Sequence, residues 1–128
     1  MPTIFLELDE VIEIHQDQIQ RYGGRPGIRD MRLLQSAVAM PRVGVGTQYL
    51  HTDLFEMAAA YLFHLVQNHP FVDGNKRAGA VAALVFLTLN GVRVRVTNPA
   101  LVEIIFAVAE GKIGKGAVAE FLRQQAHH

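Results

Sequence analysis

The sequence predicts an all-α, compact single-domain helical bundle with two buried central helices, and three observations lead there. Two segments, residues 54–66 and 78–89, are apolar almost all round, the mark of helices enclosed on every side. The rest of the chain is punctuated by caps and breakers at helix spacing. Its 128 residues, half of them hydrophobic, suit one core and leave little room for a second. Residues 1–128 therefore read as one domain.

The elements follow in order. Residues 7–20 carry Leu8, Val11, Ile12, Ile14 and Ile19 among acids and glutamines, a partly amphipathic helix. Arg21-Tyr22-Gly23-Gly24-Arg25-Pro26-Gly27, with three glycines and a proline, breaks it and reads as a structural turn. Asp30 can cap a second helix to about Ala39, ended by Pro41. Residues 41–51 read as an extended or mobile loop. Thr52 or Asp53 then caps a third helix to about Asn68. The fourth, through Ala78 to Leu89, stops at Asn90-Gly91. Val92-Arg93-Val94-Arg95-Val96 alternates like a short strand; without an obvious partner it also reads as an extended link. Asn98-Pro99 opens a helix over about 99–109, and Gly111, Gly114 and Gly116 separate it from a last helix over about 116–125.

Charge narrows the function. Lys plus Arg (12) equals Asp plus Glu (12), against the basic stripe that direct nucleic-acid binding needs. The second half is the more basic, with seven Lys/Arg against four acids in residues 65–128, a bias that suits a small polyanion. With no cysteine there is no disulfide or thiolate metal site. The N-terminus lacks the basic start and apolar core of a signal peptide. The longest apolar stretch has 12 residues, where a membrane span needs roughly 20. A soluble cytoplasmic domain is expected. The final His127-His128 pair reads as native or as the stub of a tag and is assigned no function.

The run His69-Pro70-Phe71-Val72-Asp73-Gly74-Asn75-Lys76-Arg77 lies between the two buried helices. If the fourth helix begins at Asn75, the free amides of Gly74, Asn75, Lys76 and Arg77 point into the loop, and unpaired N–H groups plus the helix dipole attract phosphate. Gly74 lets an oxygen approach the backbone. Lys76 and Arg77 disfavour the helix start they occupy, which points to an anion completing the site. Asp73 suits Mg²⁺, which takes one or two carboxylates plus phosphate oxygens. His69 is the natural general base. Singly, each feature has a plainer meaning: a helix-ending histidine, an Asp-Gly-Asn turn, a solvated Lys-Arg pair. Their coincidence within nine residues favours the functional reading.

The run resembles the signature of the Fic/Doc (Fido) superfamily, His-x-Phe-x-(Asp/Glu)-Gly-Asn-Gly-Arg, at His69, Phe71, Asp73, Gly74, Asn75 and Arg77. It departs at Lys76, where adenylylating members have Gly, and at Ala80, where they have a second Arg; both departures resemble the death-on-curing (Doc) branch. The resemblance extends through Arg21-Tyr22-Gly23-Gly24, Pro26-Gly27, Asp53-Leu54-Phe55-Glu56, Tyr61-Leu62, Phe86-Leu87 and Asn90-Gly91. It implies a toxin of a toxin–antitoxin pair that uses ATP and Mg²⁺ to phosphorylate a threonine of elongation factor Tu and halt translation. In that reading His69 is catalytic, Asp73 holds the metal, and Gly74, Asn75, Lys76 and Arg77 bind the nucleotide. Pro41 to His51 resembles the family's flap, an edge that a target peptide could extend as a strand. An inhibitory Ser/Thr-x-x-x-Glu-Gly/Asn helix is missing: Leu8 follows Thr3…Glu7, and Met57 follows Thr52…Glu56. Inhibition is therefore expected from a Phd-like antitoxin whose C-terminal segment folds into a groove.

Two other readings stand beside it: an AMP or nucleotidyl transferase of the same fold, and a catalytically inactive binding module. Elsewhere the motifs fail. Gly111 to Ala117 lacks the lysine of a P-loop, and the histidines lack zinc-site spacing. His15, His51 and His64 read as surface or core residues.

Overall fold

A computed structural model describes residues 2–127. Six helices carry the fold: α1 Leu8–Tyr22, α2 Met31–Ala39, α3 Leu54–Asn68, α4 Asn75–Leu89, α5 Asn98–Ala109 and α6 Lys115–Gln124. The expected all-α bundle is present. Asp30, Asp53 and Thr97 cap α2, α3 and α5 by accepting from the amides of Leu33, Glu56 and Ala100, each satisfying one orphan donor of a first turn.

The two expected central helices, α3 and α4, pack closely along their lengths. Leu62, Leu65, Ala82, Ala83, Phe86 and Leu87 between them are fully enclosed. Gly79 sets their separation: a Cβ there would lie 3.1 Å from the Leu62 carbonyl oxygen and 3.1 Å from a Val66 methyl. The leading segment is tied to this core by Tyr61, whose buried hydroxyl accepts from the Leu6 amide at 2.9 Å. Burial pushes that phenol's pKa up to about 12.

Two short pairings add to the helices. Where an extended loop was expected, β1 (Gly44–Val45) and β2 (Gln48–Tyr49) form a small antiparallel hairpin. The alternating stretch after α4 does find a partner. β3 (Arg93–Val94) pairs antiparallel with β4 (Ala126–His127), Arg93 opposite His127. The partner lies more than thirty residues away, beyond the reach of a local reading. Of the terminal histidine pair, His128 and the His127 side chain lie outside the described residues. Among the described residues no helix is long and apolar enough to cross a membrane.

Candidate active site

The loop from His69 to Gly74 joins the ends of α3 and α4, and its backbone is held from three sides. Inside the loop, Phe71 is fully buried and anchors the chain. The Asn75 side chain clips the Phe71 backbone, accepting from its N–H at 2.9 Å and donating to its carbonyl at 3.0 Å. From the segment after α1, Gly27 O accepts the Val72 amide at 3.0 Å, and Pro70 O accepts the amides of Arg29 (2.7 Å) and Asp30 (3.0 Å). From α1, the buried His15 stacks on Phe71 with ring centroids 3.7 Å apart, and its Nε2 donates to Asp73 O at 2.7 Å. Burial lowers the His15 pKa, which favours a neutral ring with its proton on Nε2.

This frame aims the Asp73 carboxylate. Oδ2 accepts the Arg25 amide at 3.0 Å and Oδ1 accepts the Gly74 amide at 2.9 Å. Those two backbone bonds, Arg25 first, hold the carboxyl below its ordinary pKa, so it is ionised at neutral pH. Each oxygen keeps lone pairs for a cation. Gly24 makes this approach possible: its φ is +117°, and a Cβ would stand 2.9 Å from Asp73 Oδ2 and 3.0 Å from Arg77 Nη2.

Beside the acid, α4 starts without a side-chain cap, from Gly74 at φ 77°. The amides of Asn75, Lys76 and Arg77 are thus offered outward, while that of Gly74, also expected to be free, is taken by Asp73. A cleft of about 600 Å³ opens there. Asp73, Gly74, Asn75, Lys76 and Arg77 line its polar end; Val81 and Ala80 of α4 with Leu101, Ile105 and Phe106 of α5 line its apolar side. Mg²⁺ fits this donor set. One ionised carboxylate beside a phosphate-attracting helix end is its usual arrangement, and among the described residues no three of His, Asp or Glu gather into a protein-only cage.

The expected site residues fall into distinct positions. Asp73, Gly74, Asn75, Lys76 and Arg77 converge on the cleft. Asn75 brings its backbone amide there, since its side chain is spent on Phe71 and only 4% exposed. Arg77 donates to the backbone carbonyls of Gln18 (3.1 Å) and Gly23 (2.8 Å), which docks its guanidinium and leaves further N–H groups. The Lys76 ammonium lies 5.4 Å from the centroid of the Phe106 ring, a cation–π distance. His69 is exposed and outside the cleft lining, at the α3 end of the loop.

Sequence reading missed the supports: His15, the Arg25 amide, Gly24, Arg29 and Phe106. His15 left a signal as a polar residue on the stripe with Val11 and Gln18, the buried face of α1, and Gly24 left one in the Arg21-Tyr22-Gly23-Gly24 run. The segment Arg21 to Gly27, expected to be a structural turn, is also a wall of the site, where Gly24 and the Arg25 amide pack on Asp73.

The structure is thus a helical domain with a carboxylate, Asp73, set beside the uncapped start of a buried helix. Residues 5–87 match the model of the Fic/DOC family, and the chain belongs to that family. It is 37% identical over 116 residues to the protein kinase Doc of Escherichia phage P1, covering 91% of this chain and 90% of that one. It is 44% identical over 72 residues to the toxin Doc of Mycolicibacterium smegmatis, covering 56% of this chain and 55% of that one. Both relatives bear the Doc name, in line with the branch that Lys76 and Ala80 resemble.

Proposed function

We propose that this chain is the toxin of a toxin–antitoxin pair, a cytoplasmic phosphotransferase that moves the γ-phosphate of ATP to a threonine hydroxyl of elongation factor Tu. The observation that carries the reading is the uncapped start of α4 beside the ionised Asp73 on a cleft of nucleotide size. The name of the phage relative, a protein kinase, supports the same chemistry.

Phosphoryl transfer asks a protein mainly for positioning and charge neutralisation. The amides of Asn75, Lys76 and Arg77, with the Lys76 and Arg77 side chains, receive phosphate oxygens. Asp73 would hold Mg²⁺, which when bound would supply charge neutralisation to the phosphates. His69 takes the proton of the target hydroxyl as its oxygen bonds to the γ-phosphorus; the bond from that phosphorus to the bridging oxygen breaks, and ADP leaves. A base that must meet a hydroxyl on another protein has to be exposed, as His69 is. The apolar side of the cleft, with Val102 and Phe106 each 49% exposed, suits the C-terminal segment of a Phd-like antitoxin.

Intact-mass measurement of elongation factor Tu treated with the chain and ATP tests the reading. A mass gain equal to one phosphate is expected, and His69→Ala abolishes it. A gain equal to AMP would replace kinase by nucleotidyl transferase. Full toxicity of His69→Ala would replace enzyme by binding module.

A further inference from the structure

Among the described residues His69 is the one residue other than glycine with positive φ, at φ 51° and ψ 53°. Helices commonly end in this left-handed conformation, but on glycine or asparagine, because a Cβ makes it unfavourable. Such a geometry persists where its surroundings over-determine it. Here one residue, Arg29, makes the side-chain bonds to the carbonyls around it. Arg29 donates from Nε to the His69 carbonyl at 2.7 Å and from Nη2 to the Asn68 carbonyl at 3.0 Å. Its own backbone amide, with that of Asp30, holds the next carbonyl along, Pro70 O. Three successive carbonyls at the close of α3 are therefore gripped from one place in the chain.

We propose that Arg29 is a positioning residue for His69. Its planar fork matches two neighbouring carbonyls, as a lysine ammonium does not, and its charge suits the negative end of the helix dipole. With both carbonyls fixed, the Cα–Cβ direction of His69 is fixed, and so is the path of its imidazole toward the target hydroxyl. The inference rests on the reading of His69 as the base. A residue that only capped α3 would change stability and leave the transfer rate alone.

The test uses the full chain, with Arg29→Ala, Arg29→Lys and His69→Ala, and two measurements. The first is the backbone and Cβ chemical shifts of His69, which report its left-handed geometry without any substrate. The second is γ-phosphate transfer to elongation factor Tu, with kcat and KM for ATP separated. Arg29→Ala should move the His69 shifts out of the left-handed range and lower kcat on the order of 10- to 100-fold, the cost of a small misplacement. KM for ATP should change less than about twofold, since uniform nucleotide binding is untouched. Arg29→Lys should fall between, and added guanidinium should partly restore Arg29→Ala. Arg123→Ala, which breaks the ion pairs to Asp53 and Glu120, controls for lost stability and should keep kcat. Unchanged His69 shifts in Arg29→Ala overturn the inference whatever the activity does. Shifts that move while kcat holds overturn it too. Undiminished transfer by His69→Ala removes His69 as the base, and with it the positioning role, even if the shifts move.

Discussion

Asn75→Ala separates a scaffold role from a ligand role at the heart of the site. The Asn75 side chain is 4% exposed and makes two bonds, 2.9 Å from the Phe71 N–H and 3.0 Å to the Phe71 carbonyl. Phe71 is itself fully buried, so truncation strands a donor and an acceptor where water does not reach. Each stranded group costs about 1–3 kcal/mol, so the variant should lose roughly 2–6 kcal/mol. A domain of this size is stable by roughly 6–19 kcal/mol, so the loss is large without being fatal. At roughly 4 °C per kcal/mol, Tm should fall on the order of 8–24 °C. Thermal denaturation followed by circular dichroism measures this, and calorimetric titration with ATP and Mg²⁺ measures binding below the new Tm. If Asn75 were chiefly a phosphate ligand, Tm would stay within about 2 °C while ATP affinity fell tenfold or more. That pattern would refute the clip.

Three further outcomes are expected. Tyr61→Phe should lower the urea midpoint by the equivalent of about 1–3 kcal/mol, because the Leu6 amide loses its 2.9 Å acceptor. Stability should fall as pH drops from about 6.5 toward 4: burial, then the nearby Lys115 charge, depresses His64 to about 4, and His51 is lowered for the same two reasons. In that window the unfolded chain binds more protons than the native one, so urea midpoints should rise with pH. For His64 the full shift corresponds to roughly 3 kcal/mol, discounted to about 1–2 because the ring is part-exposed; His64→Phe should flatten the profile. Finally, Lys76→Gly should cut γ-phosphate transfer on the order of 10- to 150-fold, the value of a charge-assisted phosphate contact. Paired with Ala80→Arg it should begin to move the α-phosphate from ATP. Unchanged transfer of the γ label by both variants would mean that Lys76 does not choose the chemistry.

Much of the fold was legible because its signals are local. Apolarity all round marked α3 and α4, and Asp30, Asp53 and the Asn98-Pro99 pair marked helix starts within a residue or two. The partner of β3 was not legible, because a two-residue strand against the last residues of the chain leaves no periodicity to read. The same division holds in the site. The groups proposed to act on phosphate are contiguous, since a helix start delivers amides, cations and a preceding carboxylate in sequence order. The groups that aim them come from the segment 15–29 and reach the loop across forty residues or more.

That distance has a chemical consequence. Each of these bonds between the two segments has a backbone atom at one end: His15 to Asp73 O, Arg25 N to Asp73, Arg77 to Gln18 O and Gly23 O, Arg29 to His69 O. A backbone carbonyl or amide is present whatever residue stands there, so composition carries no trace of it. Asp73 and Arg77 also crowd one glycine together with Ile19, and a side chain at position 24 would press on all three at once. The turn after α1 therefore packs against both the acid proposed to hold the metal and the cation proposed to hold phosphate. Substitution at Gly24 should thus disturb both functions together, whereas changes at Lys76, against the α5 wall, should touch the nucleotide alone.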